Sequence, residues 1–392
     1  MPGRPGLLVL MGSGETSPTM VETHRRVVRA LGAAPRAVLL DTPYAFQENA
    51  ADISARARAY FSRSVGLRVE AGAAVAGADW VFSGPGSPTY ALERWARTSV
   101  AGDLRARVRS REGATVLASA AACTAGVATV PVYEIYKVGA EPYWGEGLDL
   151  LAPLGLRVVM IPHFDNAEGG THDTRFCYLG ERRLALMEPM LPEGTAVLGI
   201  DEHTALVVDL RGERVRVEGR GAVTVRLPGS RAVLPAGTRT DLDELRRLAR
   251  GAGGRPVPVA GRAAGPPEVT LAEVARECAG RFERALTGRD SAGATRAVLD
   301  LEAAIALWAA DTEEDEGGVE RARETLRGLV AELGEAAGAW WAGDLVDGLL
   351  TLRTRLRQHG DYRVADGLRE ALRSAGVLVE DTPDGPRWTR SG

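Results

Sequence analysis

Over roughly the first 230 residues of this 392-residue chain, short apolar runs alternate with longer amphipathic stretches. Leu7–Met11, Ala37–Leu40, Trp80–Phe82, Thr115–Ala118, Val158–Ile161 and Ala196–Ile200 are mainly apolar segments of strand length, as expected of strands buried on both faces. Between them, Val21–Leu31, Ile53–Tyr60, Tyr90–Trp95 and Phe176–Met187 place apolar residues three and four apart, which gathers them on one helical face. Strand and helix in alternation predict an α/β domain whose mostly parallel sheet carries helices on both faces. The runs Ala205–Leu210, Arg214–Gly219 and Thr224–Leu227 are joined by short polar turns and predict hairpins, an antiparallel edge on that sheet.

The pattern then changes. From about Pro228 to Pro267 it dissolves into Gly, Pro, Ala and Arg, broken by one helical stretch, Leu242–Ala249. After it, Val269–Leu286, Ala292–Trp308, Val319–Leu333, Leu345–Gln358 and Tyr362–Ser374 all show helical spacing and should pack as a bundle. The predicted organisation is an α/β domain over 1–235, a Gly/Pro-rich linker over 236–267 and a separate all-α helical domain over 268–392. The acidic run Asp311–Glu316 is read as a solvated loop.

Three apolar runs in the first domain end on residues with chemistry to offer. Thr115–Ala118 stops at Ser119, Val158–Ile161 leads through Pro162 to His163, and Ala196–Ile200 reaches Asp201 and Glu202. Parallel α/β sheets present reactive groups at such strand ends. A hydroxyl, an imidazole and a carboxylate in that order are what a serine hydrolase needs: nucleophile, proton acceptor and orienting acid. Spacing alone leaves Asp201 and Glu202 as alternatives, because neighbours on a strand point to opposite faces. Ser119 would otherwise be a helix cap. Cys123, one turn into the predicted helix, is read as a buried structural residue. Asp165, Glu168, His172 and Asp173 cluster in a Gly-containing loop and are read as hydrogen-bonding residues rather than metal ligands, so neither metal nor cofactor is expected.

The N-terminal part resembles the cyanophycinase and peptidase E family of serine peptidases, built on the class I glutamine amidotransferase-like fold. The matching segments are Gly12–Glu15, Phe82–Gly86, Ser119–Ala122, His163–Phe164, Arg175–Arg183 and Gly199–Ala205. The resemblance implies Ser119 as nucleophile, His163 as general base and Glu202, rather than Asp201, as orienting acid. It further implies oxyanion donors from Ala120 and Gly86, and substrate contacts from Arg175, as a carboxylate clamp, and from Glu15; His172 is placed at the pocket mouth. The chain departs from the family where Leu117 and Ala121 replace two glycines of the nucleophile turn, which predicts a blunter turn. Where the family has Gly-Gly-Asp-Gln it has Gly84-Pro85-Gly86-Ser87, which argues against cyanophycin itself as substrate. A small peptide or acidic amide is the expected substrate.

The segment Asp361–Trp388, with Trp308–Thr312 upstream, resembles the C-terminal helical, tRNA-binding region of bacterial cysteinyl-tRNA synthetases. The synthetase's ATP-binding signatures and zinc cysteines are absent, so aminoacylation is not expected. Two further readings follow: a catalytically decayed binding or regulatory protein that engages tRNA, and a hydrolase acting on an aminoacyl-tRNA ester. Charge does not favour tRNA, since from residue 261 onward about 17 arginines face about 24 carboxylates. Arg353, Arg355, Arg357 and Arg363 are the residues that could form a basic stripe. A helical packing module, compatible with a homodimer, is the alternative.

Composition adds limits. A net charge of −4 gives no general attraction to nucleic acid. Three scattered cysteines support neither a disulfide framework nor a zinc site. No apolar run reaches the length of a membrane span, and the opening residues lack a signal-peptide pattern, so a cytoplasmic protein without membrane contact is expected.

Overall fold

The computed structural model describes residues 5–32, 34–72, 74–167, 172–251, 270–288, 290–309, 318–337, 343–382 and 385–390. These residues form two compact units, divided near residue 269. The expected linker residues 252–267, the Asp311–Glu316 run and Glu168 lie outside the described residues.

The first unit runs β1 (Gly6–Met11), α1 (Val21–Leu31), β2 (Ala37–Leu40), α2 (Ala50–Tyr60), β3 (Val69–Ala71), β4 (Trp80–Ser83), α3 (Pro88–Ala96), α4 (Val100–Ser110), β5 (Gly113–Ala118) and the short α5 (Ser119–Cys123). A small ribbon, β6 (Ala128–Thr129) with β7 (Gly145–Glu146), precedes β8 (Val158–Ile161), α6 (Gly180–Met187) and β9 (Ala196–Ile200). The unit ends with β10 (Thr204–Asp209), β11 (Arg214–Gly219), β12 (Ala222–Leu227), β13 (Ser230–Pro235), β14 (Arg239–Asp241) and α7 (Leu242–Ala249).

Eight strands form one mixed sheet in the order β14-β11-β10-β1-β5-β4-β2-β3. From β1 to β3 every neighbour is parallel, whereas β10, β11 and β14 extend the β1 side antiparallel. Alternation along β1 shows why both faces need cover: Leu8 and Leu10 enter one core with Trp95 and Leu104, while Leu7, Val9 and Met11 enter another with Val27 and Tyr60. Helices α3 and α4 thus cover one face and α1 and α2 the other.

Two expectations are corrected. The strands are not all in one sheet: β8, β9, β12 and β13 form a second, four-stranded sheet in the order β13-β12-β9-β8. The α/β unit also does not end at 235, because β14 pairs with β11 and α7 inserts Leu242, Leu245 and Leu248 into the core. Leu242–Ala249 is therefore an integral amphipathic helix and not part of a linker.

Beneath the parallel strands His24 of α1 is fully buried among the rings of Tyr60, Phe61, Trp80 and Phe82, and its Nε2 lies 2.6 Å from the Glu15 carbonyl oxygen. Burial pushes its pKa down to about 4. The unfolded chain therefore binds a proton below about pH 6.5 that the folded chain refuses until about pH 4. The neutral-His contribution is complete above pH 6.5 and is lost as pH falls through this window, a change of about 3 kcal/mol. Urea denaturation between pH 7 and 4 should show this loss, and His24→Leu should flatten it; an unchanged slope in the variant would refute the assignment.

The second unit contains α8 (Leu271–Thr287), α9 (Ser291–Trp308), α10 (Gly318–Ala337), α11 (Gly343–Gln358) and α12 (Tyr362–Ser374), close to the expected helices. A capping box between Thr270 and Glu273 starts α8, whose Leu271, Ala275, Cys278 and Phe282 face the core at helical spacing. The helices are followed by a hairpin, β15 (Val377–Thr382) and β16 (Gly385–Arg390), which the purely helical reading did not anticipate. Val377 on β15 belongs to the helical core, and Trp388 Nε1 donates to Asp347 (2.9 Å).

Arg353 does not join Arg355, Arg357 and Arg363 at the surface. Arg353 is almost fully buried and donates to both Asp381 oxygens (2.6 and 3.0 Å). Arg355 pairs with Glu302, and Arg357 pairs with Asp366 beside the Tyr362 ring. Arg353 thus faces inward, and the charges of its neighbours are offset by carboxylates.

Candidate active site

Registry along the sheets brings distant segments to one place. Met11 pairs with Ala118 and Ser83 with Leu117, so the loops after β1, β4 and β5 emerge together at the carboxyl edge of the first sheet. In the second sheet Ile161 pairs with Gly199, so the loops after β8 and β9 emerge side by side. Helix α5 lies where the two sheets meet: its Ala121 and Ala122 belong to a core the two sheets share, with Leu10 and Leu117 of the first and Met160 and Leu198 of the second, and its Cys123 joins Val159 and Ile161 of the second.

Ser119 begins α5 with φ of 48°, a left-handed conformation that costs a non-glycine residue about 1 kcal/mol or more. The turn is therefore sharp although Leu117 and Ala121 stand where glycines were expected. Strain sits on the serine itself, and the small Ala120–Ala122 side chains let the helix approach the strands. His163, two residues beyond β8, is also left-handed (φ 48°). Its Nε2 lies 2.9 Å from Ser119 Oγ and its Nδ1 lies 2.9 Å from Glu202 Oε1. When Nδ1–H donates to Glu202, Nε2 is left to accept from the Ser119 hydroxyl.

Glu202 is held at both ends. Its backbone N–H donates to Asp165 Oδ1 (2.8 Å), and its Oε1 also accepts from Asn166 Nδ2 (3.1 Å). Burial opposes its charge, but the hydrogen bond and charge of His163 outweigh burial and keep its pKa below the ordinary value. Asp201 points elsewhere, accepting from the Ala222 N–H (2.8 Å), and burial raises its pKa to about 6. Asn166, three residues beyond the histidine, carried no signal in a single sequence.

The Gly84–Ser87 loop borders the turn. The Ala121 N–H donates to the Gly84 carbonyl (3.1 Å), while Ala120, in the first turn of α5, has no intrahelical acceptor for its N–H. Gly86 has φ of 127°, and a Cβ there would meet the Pro43 carbonyl oxygen at 2.2 Å. Glycine is required at this position. Glu15 is not presented to solvent: it is fully buried, with Oε1 underlying Gly84, so the expected direct substrate contact gives way to a place beneath the loop.

The segment after His163 folds back on it. Phe176 N–H donates to the Phe164 carbonyl and Cys177 N–H to that of His163, both at 3.2 Å, and the Phe164 and Phe176 rings lie 4.5 Å apart. Phe176, Cys177 and Tyr178 are consecutively left-handed (φ 61°, 56° and 64°), so the helix expected from Phe176 starts only at Gly180. A Cβ on Gly199 would fall 2.2 Å from the Phe164 ring, which ties β9 to the placement of His163. Cys123 is buried, and its hydrogen bond with Cys177, together with burial, raises its pKa and disfavours the nucleophilic thiolate.

The remaining expected residues are peripheral to the three. Arg175 is half-exposed, lies over Phe176 and is forked onto Asp173 through two 2.8 Å bonds. His172 is exposed and stacks on Tyr136. Of the metal-ligand alternative, Asp165 and Asp173 are turned to Glu202 and Arg175 respectively.

No helix among the described residues is long and apolar enough to cross a membrane. No family model matches the chain. Among solved structures it is similar to a peptidase from an acI-B1 Actinobacterium, with 19% identity, TM-score 0.48 and coverage of 61% of this chain and 98% of that one. It is also similar to a candidate peptidase E of Listeria monocytogenes EGD-e, with 14% identity, TM-score 0.38 and coverage of 55% and 98%. Among curated proteins it is similar to the cysteine–tRNA ligase of Haloarcula marismortui, 36% identical over 128 residues, which are 30% of this chain and 26% of the ligase. The ligase of Deinococcus radiodurans is 43% identical over 84 residues, 18% of this chain and 17% of that protein. The chain spans about a quarter or less of the length of these ligases, and its similarities are thus to two different kinds of protein, peptidases and cysteine–tRNA ligases.

Proposed function

We propose that the N-terminal unit is a serine hydrolase acting on a small peptide or acidic amide. The observation that carries this reading is the continuous relay Ser119 Oγ, His163 Nε2, His163 Nδ1, Glu202 Oε1, with both heavy-atom separations at 2.9 Å. Ser119 Oγ attacks the substrate carbonyl carbon while its proton passes to His163 Nε2. Glu202 keeps the imidazole in the right tautomer and stabilises the imidazolium. The carbonyl oxygen, now an oxyanion, takes N–H donors from Ala120 and Gly86. Collapse breaks the C–N bond, and His163 gives its proton to the departing amine. Water repeats the sequence on the acyl-enzyme and returns Ser119. Arg175 suits a substrate carboxylate through its planar fork, which that carboxylate would take over from Asp173.

A fluorophosphonate probe tests the nucleophile directly, because it phosphonylates only an activated serine. Wild-type protein should be labelled at Ser119, as read by peptide mass, and Ser119→Ala should not. Equal labelling of the two would sink the proposal.

A further inference from the structure

Glu202 sits in the three-residue connection 201–203 between β9 and β10, and the residue after it is a second histidine. His203 is half-buried and left-handed (φ 51°), and acyl transfer as described above makes no use of it. Its Nδ1 lies 3.0 Å from Thr19 Oγ1 and 3.3 Å from Ser17 Oγ, both buried hydroxyls in the segment that follows β1. Ser17 Oγ in turn lies 2.5 Å from Thr19 Oγ1 and donates to the Gly14 carbonyl (2.6 Å). A Cβ on Gly14 would fall 2.1 Å from His203 Nδ1, so the ring can rest here only against glycine.

The supply of protons sets the direction of this chain. Three contacts each need one, the Gly14 carbonyl has none to give, and each hydroxyl has a single one. Ser17 gives its proton to Gly14, so Thr19 must give its own to Ser17. The contact between Thr19 and His203 is left to the ring, whose Nδ1 therefore carries a hydrogen and donates it to Thr19 Oγ1. The bond persists whether or not Nε2 is protonated.

Where this bond ends gives it a consequence. Asp165, in the loop after β8, holds the Glu202 backbone N–H from the side of the second sheet. The segment after β1 belongs to the first sheet, in which Met11 at the end of β1 pairs with Ala118, the residue before Ser119. A bond from His203 to Thr19 thus fastens the Glu202 connection to the sheet that carries the nucleophile. We propose that His203 is a positioning residue of the hydrolase site, whose Nδ1–H anchor on Thr19 fixes Glu202 in register with His163 and Ser119. The inference rests on the serine-hydrolase reading and adds to it a residue that acts through Glu202.

The test measures both the rate and the final extent of fluorophosphonate labelling at Ser119 in the full-length chain. His203→Gly accommodates the left-handed backbone and removes the anchor, so labelling should reach the wild-type extent at about one tenth of the rate, a smaller loss than the roughly 100-fold attached to a 1 Å misplacement. His203→Asn should stay within about twofold of wild type, since asparagine tolerates the same backbone and its Nδ2–H takes the place of Nδ1–H. Thr19→Val removes the acceptor but keeps the shape, reads the same bond from its other end and should match His203→Gly. In a Glu202→Gln background, labelled to completion at raised probe concentration, His203→Gly should cost less than about threefold, because the charge to be placed is gone. A wild-type rate in His203→Gly or Thr19→Val, a rate in His203→Asn as low as in His203→Gly, an equal loss in the Glu202→Gln background, or a reduced extent at an unchanged rate each overturns this inference alone. Absence of labelling in the wild type overturns the hydrolase reading and this inference together.

Discussion

Ser119→Ala and His163→Ala should each lower kcat/KM on a p-nitrophenyl ester by about 10⁴ to 10⁶, and the double variant should be scarcely worse than either single one. The reason is geometric. Ser119 Oγ and His163 Nε2 act through one shared proton at 2.9 Å, so removing either leaves the other with nothing to do. Glu202→Gln is expected to cost less, because an amide oxygen can still accept from Nδ1–H but no longer offsets the imidazolium charge. Asn166→Ala should cost least, since it removes only a second donor to Glu202 Oε1. Steady-state kinetics on the five variants decides the matter: additive losses for Ser119 and His163 in the double variant would show that they do not function as a unit.

In the second unit, Asp381→Ala should destabilise the helices by about 3 kcal/mol, near the lower end of the range for breaking a buried ion pair. The Arg353 guanidinium is almost fully enclosed, whereas Asp381 is half-exposed, so water already shares the carboxylate's charge but not the arginine's. Without the carboxylate a buried cation is left with no counter-charge at that fork. Arg353→Leu, which removes the charge that needs compensating, should be less damaging than Asp381→Ala even though it deletes the larger side chain. Urea denaturation followed by helical circular dichroism would show the order, and the reverse order would mean that the pair contributes through packing rather than charge.

Where one local rule determines an element, the sequence was enough. The runs at 37–40, 158–161 and 196–200 are bounded as expected, because an apolar segment of four or five residues between polar ones can hardly shift its ends. Partner choice was not legible: nothing in Val158–Ile161 says that it joins β9 in a separate sheet and not the larger one, since both environments bury both faces. Helix α4 escaped notice because three arginines, Arg105, Arg107 and Arg109, crowd its Val100, Leu104 and Val108 stripe and blur the period. The left-handed turn at Phe176–Tyr178 was invisible for a different reason, as these bulky residues have no propensity for it and tertiary hydrogen bonds impose it. At Ser119 the missing glycines suggested a blunter turn, yet the left-handed residue is the serine, and the alanines satisfy the close packing. Arg353 was grouped with its sequence neighbours as a surface charge; only the hairpin carrying Asp381 gives it a reason to face inward.

The division of the relay between two sheets makes it an internal displacement gauge. His163 follows β8 of the second sheet, whereas Glu202 sits in the three-residue connection that leaves β9 of that sheet for β10 of the first. Ser119 is mounted on the first sheet, and a slip of about 1 Å at the α5 seam would alone be enough to cost about 100-fold in rate. Mild denaturant should therefore extinguish turnover while the helical signal is still intact.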